Sequence, residues 1–372
     1  MTHDPSTRRE FLGTTLAGAA ALGLAAQPQT AFGQATSDKE FQPNTALIND
    51  TGDPLLGQLG RPGGIPTRPL GKTGARVSIV CLGGWHIGKC GKDSGEAEAT
   101  RIMHASIDAG VTFFDNAWDY HNGYAEELMG RALAVGGKRQ QVFLMTKNCE
   151  RDYAGSQKNL DDSLRRLQTD VIDLWQFHEM VYDNDPDWVF DKGGMKAALE
   201  AVQAGKVRFI GFTGHKDPRI HLKMLAKPYP WASAQMPVNV LDAHYRSFQK
   251  EVVPVCNQKG VGPIGMKSLA GSPDGTNGRI PSRGLATAEE CIRYAISLPI
   301  SSLVVGIRNQ RDLDQALRVG RDFHPMSTDQ RLALAARLAP EAGDGRHELF
   351  KSTKHFDGPH HRKQHGFAVE VA

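Results

Sequence analysis

Residues 142–178 contain two strand-like runs, Val-Phe-Leu-Met-Thr-Lys (142–147) and Val-Ile-Asp-Leu-Trp-Gln-Phe-His (171–178), on either side of a helical segment. Both runs are short and rich in β-branched or aromatic side chains, which is typical of buried strands. Between them, Gln157 to Leu167 has apolar residues at helical spacing. Strand, helix and strand in this order form the repeating unit of a parallel sheet. The stretch therefore predicts an α/β fold.

The same alternation extends in both directions, beginning near Thr67. Eight runs have the composition of buried strands: Val77 to Leu82, Val111 to Asp115, Val142 to Lys147, Val171 to His178, Val207 to Thr213, Ala232 to Gln235, Val261 to Met266 and Ser302 to Gly306. Segments with helical periodicity lie between them, including Ala125 to Ala134, Met195 to Ala204 and Ala288 to Ile296. Eight parallel strands with intervening helices predict a closed (β/α)8 TIM barrel.

An open, doubly wound sheet is the alternative fold. Such a sheet usually has a G-x-G-x-x-G turn after its first strand, and Cys81 to His86 does not have that spacing. Ahead of the first barrel strand, Pro69 to Gly74 has the glycines of a tight hairpin. We expect this hairpin to close the bottom of the barrel.

The N-terminal residues resemble an export signal. Ser6 to Leu12 contains the twin-arginine pair, and the apolar run from Leu12 to Ala26 is shorter than the roughly 20 residues that cross a bilayer. Small residues at Gly33 to Ala35 fit cleavage after Ala35. We therefore expect folded export to the periplasm by the twin-arginine translocase, without stable membrane insertion. The predicted organisation is a signal peptide at 1–35, a linker or arm at 36–66, a barrel at 67–338 and a C-terminal tail or lid at 339–372.

Composition excludes several other classes of protein. The 372 residues are 40% hydrophobic and 23% charged, with a formal net charge of +3 and no basic stripe of the kind that binds nucleic acid. The 5 cysteines include no C-x-x-C pair, which argues against a zinc or iron-sulfur centre. Cys81 and Cys149 lie in apolar runs, so we expect buried thiols and no catalytic cysteine.

Polar side chains occur where three consecutive strands end. In a barrel of this kind the carboxyl ends of the strands form one shared mouth, where the working residues lie. Asp115 and Tyr120 follow the second strand, Lys147 ends the third and His178 ends the fourth. Each alone has an ordinary explanation as a cap, a packed loop residue, a solvated lysine or a core histidine. Together they supply what carbonyl reduction requires.

The chemistry of carbonyl reduction explains these residue types. Hydride addition leaves an alkoxide that must be protonated, and an unperturbed tyrosine with a pKa of about 10 holds its proton firmly at neutral pH. Lys147 can lower the pKa of Tyr120, and Asp115 can hold the ammonium group. His178 can orient and polarise the carbonyl oxygen.

In this order and context, Asp115, Tyr120, Lys147 and His178 resemble the catalytic tetrad of the aldo-keto reductase superfamily. Arg68 to Gly74 resembles the opening hairpin of the family. Tyr120 to Arg131 resembles the run after its catalytic tyrosine, and Gly205 to Gly211 resembles its fifth strand. The similarity covers about Thr67 to Leu338.

This resemblance implies a nicotinamide cofactor, NADP with NAD as the alternative. Gln235 matches a carboxamide contact, and Gly306 to Gln310 match the phosphate and adenosine end. Thr213-Gly214 replaces the common Ser-Asn, and Met266-Lys267 replaces an aromatic stacking residue. The implied cofactor-binding residues are Gly84, Trp85, Thr213, Gln235, Met266, Lys267, Gly306, Arg308, Asn309 and Gln310.

The predicted function is reduction of an aldehyde or ketone by an NADP-dependent enzyme. A cofactor-binding sensor barrel with little turnover is the alternative, and a metal-dependent barrel hydrolase is disfavoured because its inward ligands are not found. Five histidines lie between His347 and His365, but their spacing argues against a metal site, so no metal ligand is predicted. Aromatic residues expected around the mouth suggest an apolar or aromatic carbonyl substrate. They are Trp85, His86, Trp118 and Tyr182.

Overall fold

The structure is a computed structural model that describes residues 48–50, 57–59, 64–271, 278–354 and 356–369. The predicted signal peptide at 1–35 lies outside the described residues. Two short strands are described within the predicted linker. They belong to a small antiparallel sheet that precedes the barrel in the sequence. Its strands, which pair in sequence order, are β1 (Ile48–Asp50), β2 (Gly57–Leu59), β3 (Pro66–Pro69) and β4 (Arg76–Ser78).

The next eight described strands form a closed parallel barrel. They are β5 (Val80–Gly83), β6 (Phe113–Asp115), β7 (Phe143–Asn148), β8 (Ile172–Phe177), β9 (Val207–Thr213), β10 (Ser233–Pro237), β11 (Gly262–Met266) and β12 (Ser302–Val305). Pairing of β12 with β5 closes the ring, with Leu303 opposite Val80. The predicted (β/α)8 barrel is confirmed, and the open sheet is excluded.

One predicted strand is wrong in its extent. Val77 to Leu82 is not one strand, because the chain changes sheets at Ile79. The amide of Ile79 donates to the carbonyl of Pro66 at 2.9 Å, and its own carbonyl accepts from the amide of Leu303 at 2.9 Å. Residues before Ile79 therefore belong to the hairpin, and those after it belong to the barrel.

The hairpin turn packs against the bottom of the barrel. Leu70 is fully buried in a cluster that includes Phe113 and Leu174 of the barrel. Gly71 has a φ of +54°, and a Cβ atom there would lie 2.6 Å from the carbonyl oxygen of Gly260. A larger residue would push the turn away from the barrel, so the glycine permits the close approach.

Helices surround the barrel and end in a tail across its mouth. The barrel helices are α1 (Gly84–Ser94), α2 (Glu96–Asp108), α3 (Tyr124–Leu133), α4 (Tyr153–Leu167), α5 (Asp185–Asp191), α6 (Gly194–Gln203), α7 (Pro218–Leu225), α8 (Phe248–Glu251), α9 (Val253–Lys259), α10 (Arg279–Ser282), α11 (Ala288–Ile296), α12 (Gln310–Arg321) and α13 (Thr328–Leu338). The tail contains α14 (Leu349–Ser352) and α15 (Pro359–Gln364). None of the helices in the described part of the chain has the length and apolarity that a membrane span requires.

Side-chain caps set several of the helix starts. Asp152 accepts from the amide of Gly155 at the start of α4, and Thr287 forms a reciprocal capping box with Glu290 at the start of α11. Such caps satisfy amides that have no partner within the helix. The apolar faces of these helices pack on the outside of the barrel in one continuous core.

Buried ion pairs hold the tail. Lys351 is fully buried and contacts the Asp242 carboxylate at 2.6 Å and the Glu348 carboxylate at 3.0 Å. Further along, Asp357 Oδ1 lies 3.4 Å from His215 Nε2, just beyond the end of β9. These contacts place α15 over the carboxyl ends of the strands.

Candidate active site

The structure brings the four predicted catalytic residues together at the mouth of the barrel. Asp115 is the last residue of β6, Lys147 lies near the end of β7 and His178 follows β8 directly. Tyr120 begins a 3₁₀ segment, Tyr120–Gly123, in the loop after β6. The side chains of Asp115 and Lys147 are almost completely buried.

Lys147 is the centre of this group. Its ammonium pairs with the Asp115 carboxylate and donates to the carbonyl of Asn116. The same nitrogen lies 3.3 Å from the hydroxyl oxygen of Tyr120 and 4.7 Å from the centre of its ring. The carboxylate of Asp115 and the carbonyl of Asn116 therefore hold the ammonium group in position, and the ammonium group can polarise the hydroxyl of Tyr120.

The loop that carries Tyr120 has an unusual backbone. His121 and Asn122 both have positive φ values, 53° and 58°, which residues other than glycine rarely adopt. Gly123 packs so closely on the Arg166 guanidinium that a Cβ atom would lie 2.4 Å from its central carbon. Arg166 donates in turn to the carbonyl of Trp118 at 2.9 Å. The surrounding contacts hold the strained loop in place, as is common at functional sites.

The electrostatics of Tyr120 differ from the sequence expectation. Burial, with smaller contributions from the carboxylates of Asp115 and Asp119, raises the pKa of Tyr120 well above its usual value. Burial also raises the pKa of Asp115, although Lys147 opposes this shift. The expected net lowering of the Tyr120 pKa is not found, because one cation does not outweigh burial beside two carboxylates. The phenol is therefore protonated at neutral pH.

His178 is held through its Nδ1 atom. This atom lies 3.3 Å from Asp119 Oδ1 and 3.4 Å from Cys149 Sγ. Burial lowers the pKa of His178 despite the neighbouring carboxylate, so the ring is neutral at pH 7. The pKa of Asp119 is lowered on balance, because burial, which raises it, is outweighed by His178 and other neighbours. Nε2, on the other side of the ring, is the nitrogen left to contact a substrate.

Three predicted cofactor residues lie on neighbouring strands: Thr213 ends β9, Gln235 is in the middle of β10 and Met266 ends β11. Thr213 and Gln235 are buried, and Met266 is half-buried. The side-chain amide of Gln235 faces Met266 Sδ at 3.8 Å, while its Oε1 atom is buried and has no hydrogen-bond partner among the described residues. A buried amide oxygen without a donor is costly, so this atom suits a ligand that brings an N–H group.

Two glycines pack closely against their neighbours along the same edge of the mouth. A Cβ atom on Gly84 would lie 2.5 Å from the carbonyl oxygen of Asp115, and one on Gly306 would lie 2.5 Å from the ring of His86. Trp85, next to Gly84, is 46% exposed and stacks on His121. A larger residue at either glycine would displace the Asp115 backbone or the His86 ring.

The predicted phosphate end is positively charged. Burial lowers the pKa of His86 to about 4, and the cations of Arg308 and Lys267 add to this effect. Lys267 has a positive φ of 57°, and burial lowers its pKa. The carboxylate of Asp312 contacts the Arg308 side chain at 3.6 Å. His86 was predicted only as a mouth residue, and its position beside these cations could not be read from spacing.

Asn309 and Gln310 lie at the start of α12. The Asn309 side chain caps this helix by accepting from the amide of Asp312, and Gln310 accepts from Arg101 at 2.6 Å. Both side chains are therefore engaged within the protein, unlike Gln235.

Aromatic side chains line the mouth between the loops and the tail. Tyr120 meets Trp85 and His178 edge to face, at 5.7 Å in both cases. Trp118 meets His360 of α15 at 5.6 Å, and Tyr182 meets His365 at 4.3 Å. The tail thus contributes to the surface that a substrate would contact.

Sequence spacing predicts no metal ligands, yet the described residues bring one mixed donor group together. Asp119, Cys149, His178 and His361 each place a donor atom within 4.8 Å of the others. They come from three loops and the tail, which explains why no short motif reveals them. Cys81 and Cys149 are both fully buried, as expected.

The closed parallel barrel and the four polar residues at its mouth are typical of a (β/α)8-barrel enzyme. Comparison with known proteins identifies its family. The sequence profile of the Aldo/keto reductase family matches residues 79–283. The chain belongs to this family. Its members are oxidoreductases that use nicotinamide cofactors to interconvert carbonyl compounds and alcohols, so the resemblance inferred from the tetrad is confirmed at the level of the family.

Similar proteins come from fungi and bacteria. Aldo-keto reductase AFTS1 of Alternaria alternata is 30% identical over 299 residues, which cover 65% of this chain and 80% of the relative. The uncharacterized oxidoreductase YrpG of Bacillus subtilis is 31% identical over 243 residues, which cover 59% of this chain and 71% of the relative.

Solved structures share the fold. The holo form of aldo-keto reductase AKR11C1 from Bacillus halodurans has a TM-score of 0.61 and 24% identity, covering 76% of this chain and 99% of its own. An aldo/keto reductase from Klebsiella pneumoniae in complex with NADP and acetate has a TM-score of 0.59 and 24% identity, covering 72% of this chain and 93% of its own.

Proposed function

We propose that this protein reduces an aldehyde or ketone to an alcohol with NADPH, and that Tyr120 donates the proton. The observation that carries the proposal is the position of Lys147 between Asp115 and the Tyr120 hydroxyl, beside His178. Family membership supplies the reaction class, and this arrangement supplies the proton donor and its activating cation. The substrate is a small carbonyl compound that fits an aromatic mouth.

Each residue of the tetrad has a distinct task. The protonated Tyr120 hydroxyl gives its proton to the developing alkoxide, and the Lys147 ammonium stabilises the phenolate that remains. Asp115 holds the ammonium in place. The Cys149 thiol lies 3.4 Å from His178 Nδ1, and when it donates to this atom the neutral ring carries its proton on Nε2, where it can donate to the carbonyl oxygen. Burial of Asp115, Lys147 and His178 removes competing water from these groups.

The described residues fit a nicotinamide dinucleotide. The unpaired Oε1 atom of Gln235 suits the N–H group of a carboxamide. When bound, the reduced nicotinamide supplies hydride to the carbonyl carbon. Lys267 and Arg308 would hold the phosphates, which is why we propose NADP rather than NAD. The Klebsiella pneumoniae relative in complex with NADP supports this preference.

We also propose that the protein is exported folded to the periplasm by the twin-arginine translocase, with cleavage after Ala35. The support is the Arg8-Arg9 pair followed by an apolar run and small residues before Thr36. N-terminal sequencing of the periplasmic protein should begin at Thr36. The control is a double variant, Arg8→Lys with Arg9→Lys, which should remain uncleaved in the cytoplasm; equal export of both proteins would refute the proposal.

The reaction is tested by incubating the purified protein with NADPH and a panel of aliphatic and aromatic aldehydes. Loss of NADPH absorbance with formation of the alcohol is expected for at least one carbonyl compound. Tight NADPH binding without turnover of any compound would instead favour a cofactor-binding sensor. Faster turnover with NADH than with NADPH would contradict the proposed preference alone.

A further inference from the structure

A compact group of metal-ligand side chains lies behind the ring of His178. It consists of Asp119, Cys149, His178 and His361, with one donor atom of each within 4.8 Å of the other three. From His178 Nδ1, the distances are 3.3 Å to Asp119 Oδ1 and 3.4 Å to Cys149 Sγ. Tetrahedral zinc with bonds of about 2.0–2.3 Å separates its ligand atoms by about 3.3–3.7 Å. Two of the donor distances therefore already match a zinc site, and the others lie within 4.8 Å.

His361 provides the second, independent observation. Its side chain is completely buried, and neither ring nitrogen has a hydrogen-bond partner in the described part of the chain. The Glu179 carboxylate approaches Nε2 only to 3.6 Å. Leaving a buried polar group without a partner is destabilising. A ligand that accepts a nitrogen lone pair would remove this cost.

A hydrogen-bonded cluster is the competing explanation. In that arrangement the Cys149 thiol donates to His178 Nδ1 and the Asp119 carboxylate lies beside both, which accounts for the short distances among these three residues. It gives His361 no partner, although α15 places this ring 5.5 Å from the ring of His178. The hydrogen-bonded cluster alone therefore leaves the fully buried His361 ring without a partner among the described residues.

We propose that Asp119, Cys149, His178 and His361 bind one zinc-type divalent ion. A carboxylate and a thiolate balance the charge of the ion, and two imidazoles complete a tetrahedral set without an open position. Such a closed site positions residues rather than activating water. The ion would hold the tail across the mouth through His361, and it would keep His178 in the form that carries its proton on Nε2. The site does not depend on the proposed reaction.

The test uses cobalt(II) as a spectroscopic probe on the full-length mature protein after treatment with a chelator. One equivalent of Co²⁺ should produce the intense visible bands of tetrahedral coordination and a thiolate-to-cobalt charge-transfer band. One equivalent of Zn²⁺ should abolish both. Weak octahedral bands, no charge-transfer band or no saturable binding would each overturn the proposal without reference to any variant.

Variants identify the ligands. Cys149→Ser should remove the charge-transfer band, and His361→Gln should weaken Zn²⁺ binding by at least the roughly 10–100-fold that follows loss of an outer-shell partner. His360→Gln is the matched control, because His360 is the adjacent histidine and contacts the Glu150 carboxylate at 2.9 Å instead. It should bind Co²⁺ like the wild type. Unchanged spectra and affinities in both Cys149→Ser and His361→Gln would refute this ligand set.

Discussion

The Nζ atom of Lys147 lies 3.3 Å from the hydroxyl oxygen of Tyr120 while its ammonium also pairs with the buried carboxylate of Asp115. One cation therefore serves two different groups. The carboxylate holds the lysine when no substrate is present, and the phenol gains a neighbour that stabilises its anion when the proton leaves. The first two predictions separate these two roles.

Tyr120→Phe should lower kcat by about 10²–10⁴, the usual contribution of a general acid. Only a hydroxyl is removed, so the thermal unfolding midpoint and the Kd for NADPH should stay near those of the wild type. Steady-state kinetics, fluorescence titration and thermal melts measure the three quantities. Tyr153→Phe is the matched control, since its hydroxyl contacts Glu200 on the outside of the barrel. Wild-type turnover in Tyr120→Phe would remove this residue from the mechanism.

Lys147→Met should reduce activity as severely and should also destabilise the fold. Removing one member of a buried ion pair leaves the other charge unpaired, at a cost of about 3–5 kcal/mol. Adding Asp115→Asn should restore much of the free energy of unfolding, because no buried charge then remains unpaired, but it should not restore turnover. Chemical denaturation of the single and double variants measures this. Equal stability of the wild type and Lys147→Met would contradict the buried pair.

Arg308→Ala should weaken NADP binding by about 10–100-fold, as expected for loss of charge-assisted hydrogen bonds worth about 1.5–3 kcal/mol. NAD binding should change much less if Arg308 contacts the 2′-phosphate. Titration calorimetry with both cofactors measures the difference. The control is Arg318→Ala on α12, the helix that begins just after Arg308, because the Arg318 guanidinium pairs with Glu289 at the surface. Equal losses of affinity for NADP and NAD would mean that Arg308 contacts a part of the molecule that both cofactors share.

Glu348 should make stability depend on pH. Burial raises the pKa of Glu348 to about 7, and Asp242 adds to the shift while Lys351 opposes it. Folding therefore favours the protonated form, so this stabilisation is complete below the ordinary glutamate pKa and is lost as pH rises through about 7. One such proton changes the free energy of unfolding by at most about 1.4 kcal/mol per pH unit.

Glu348→Gln should therefore lose less stability than the wild type between about pH 5 and pH 8. Urea denaturation at several pH values measures the two curves. Glu251→Gln is the control, because Glu251 is exposed at the end of α8, and its loss should leave the wild-type slope unchanged. Parallel curves for the wild type and Glu348→Gln would show that Glu348 does not titrate in this range.

Much of the barrel and the tetrad could be predicted because the deciding signals are local. A buried parallel strand is a short apolar run, and the chain returns each such run to the same edge of the sheet, so Asp115, Lys147 and His178 meet wherever their strands end. The same reasoning placed Leu70 and Gly71 in a hairpin beneath the barrel. None of these predictions depends on how segments that are distant in the sequence pack against one another.

Properties that depend on several distant segments were decided only by the tertiary structure. Ile79 ends the hairpin because its amide bonds to Pro66 in the antiparallel sheet and its carbonyl bonds to Leu303 in the barrel. The pattern of apolar residues does not indicate which strand each backbone group will pair with. The raised pKa of Tyr120 follows from burial beside Asp119, which spacing cannot measure. His361 reaches His178 only because buried charges such as Lys351 hold the tail against the barrel. Sequence determines which groups each strand end offers, whereas packing determines how deeply they are buried and which residues from the far end of the chain join them.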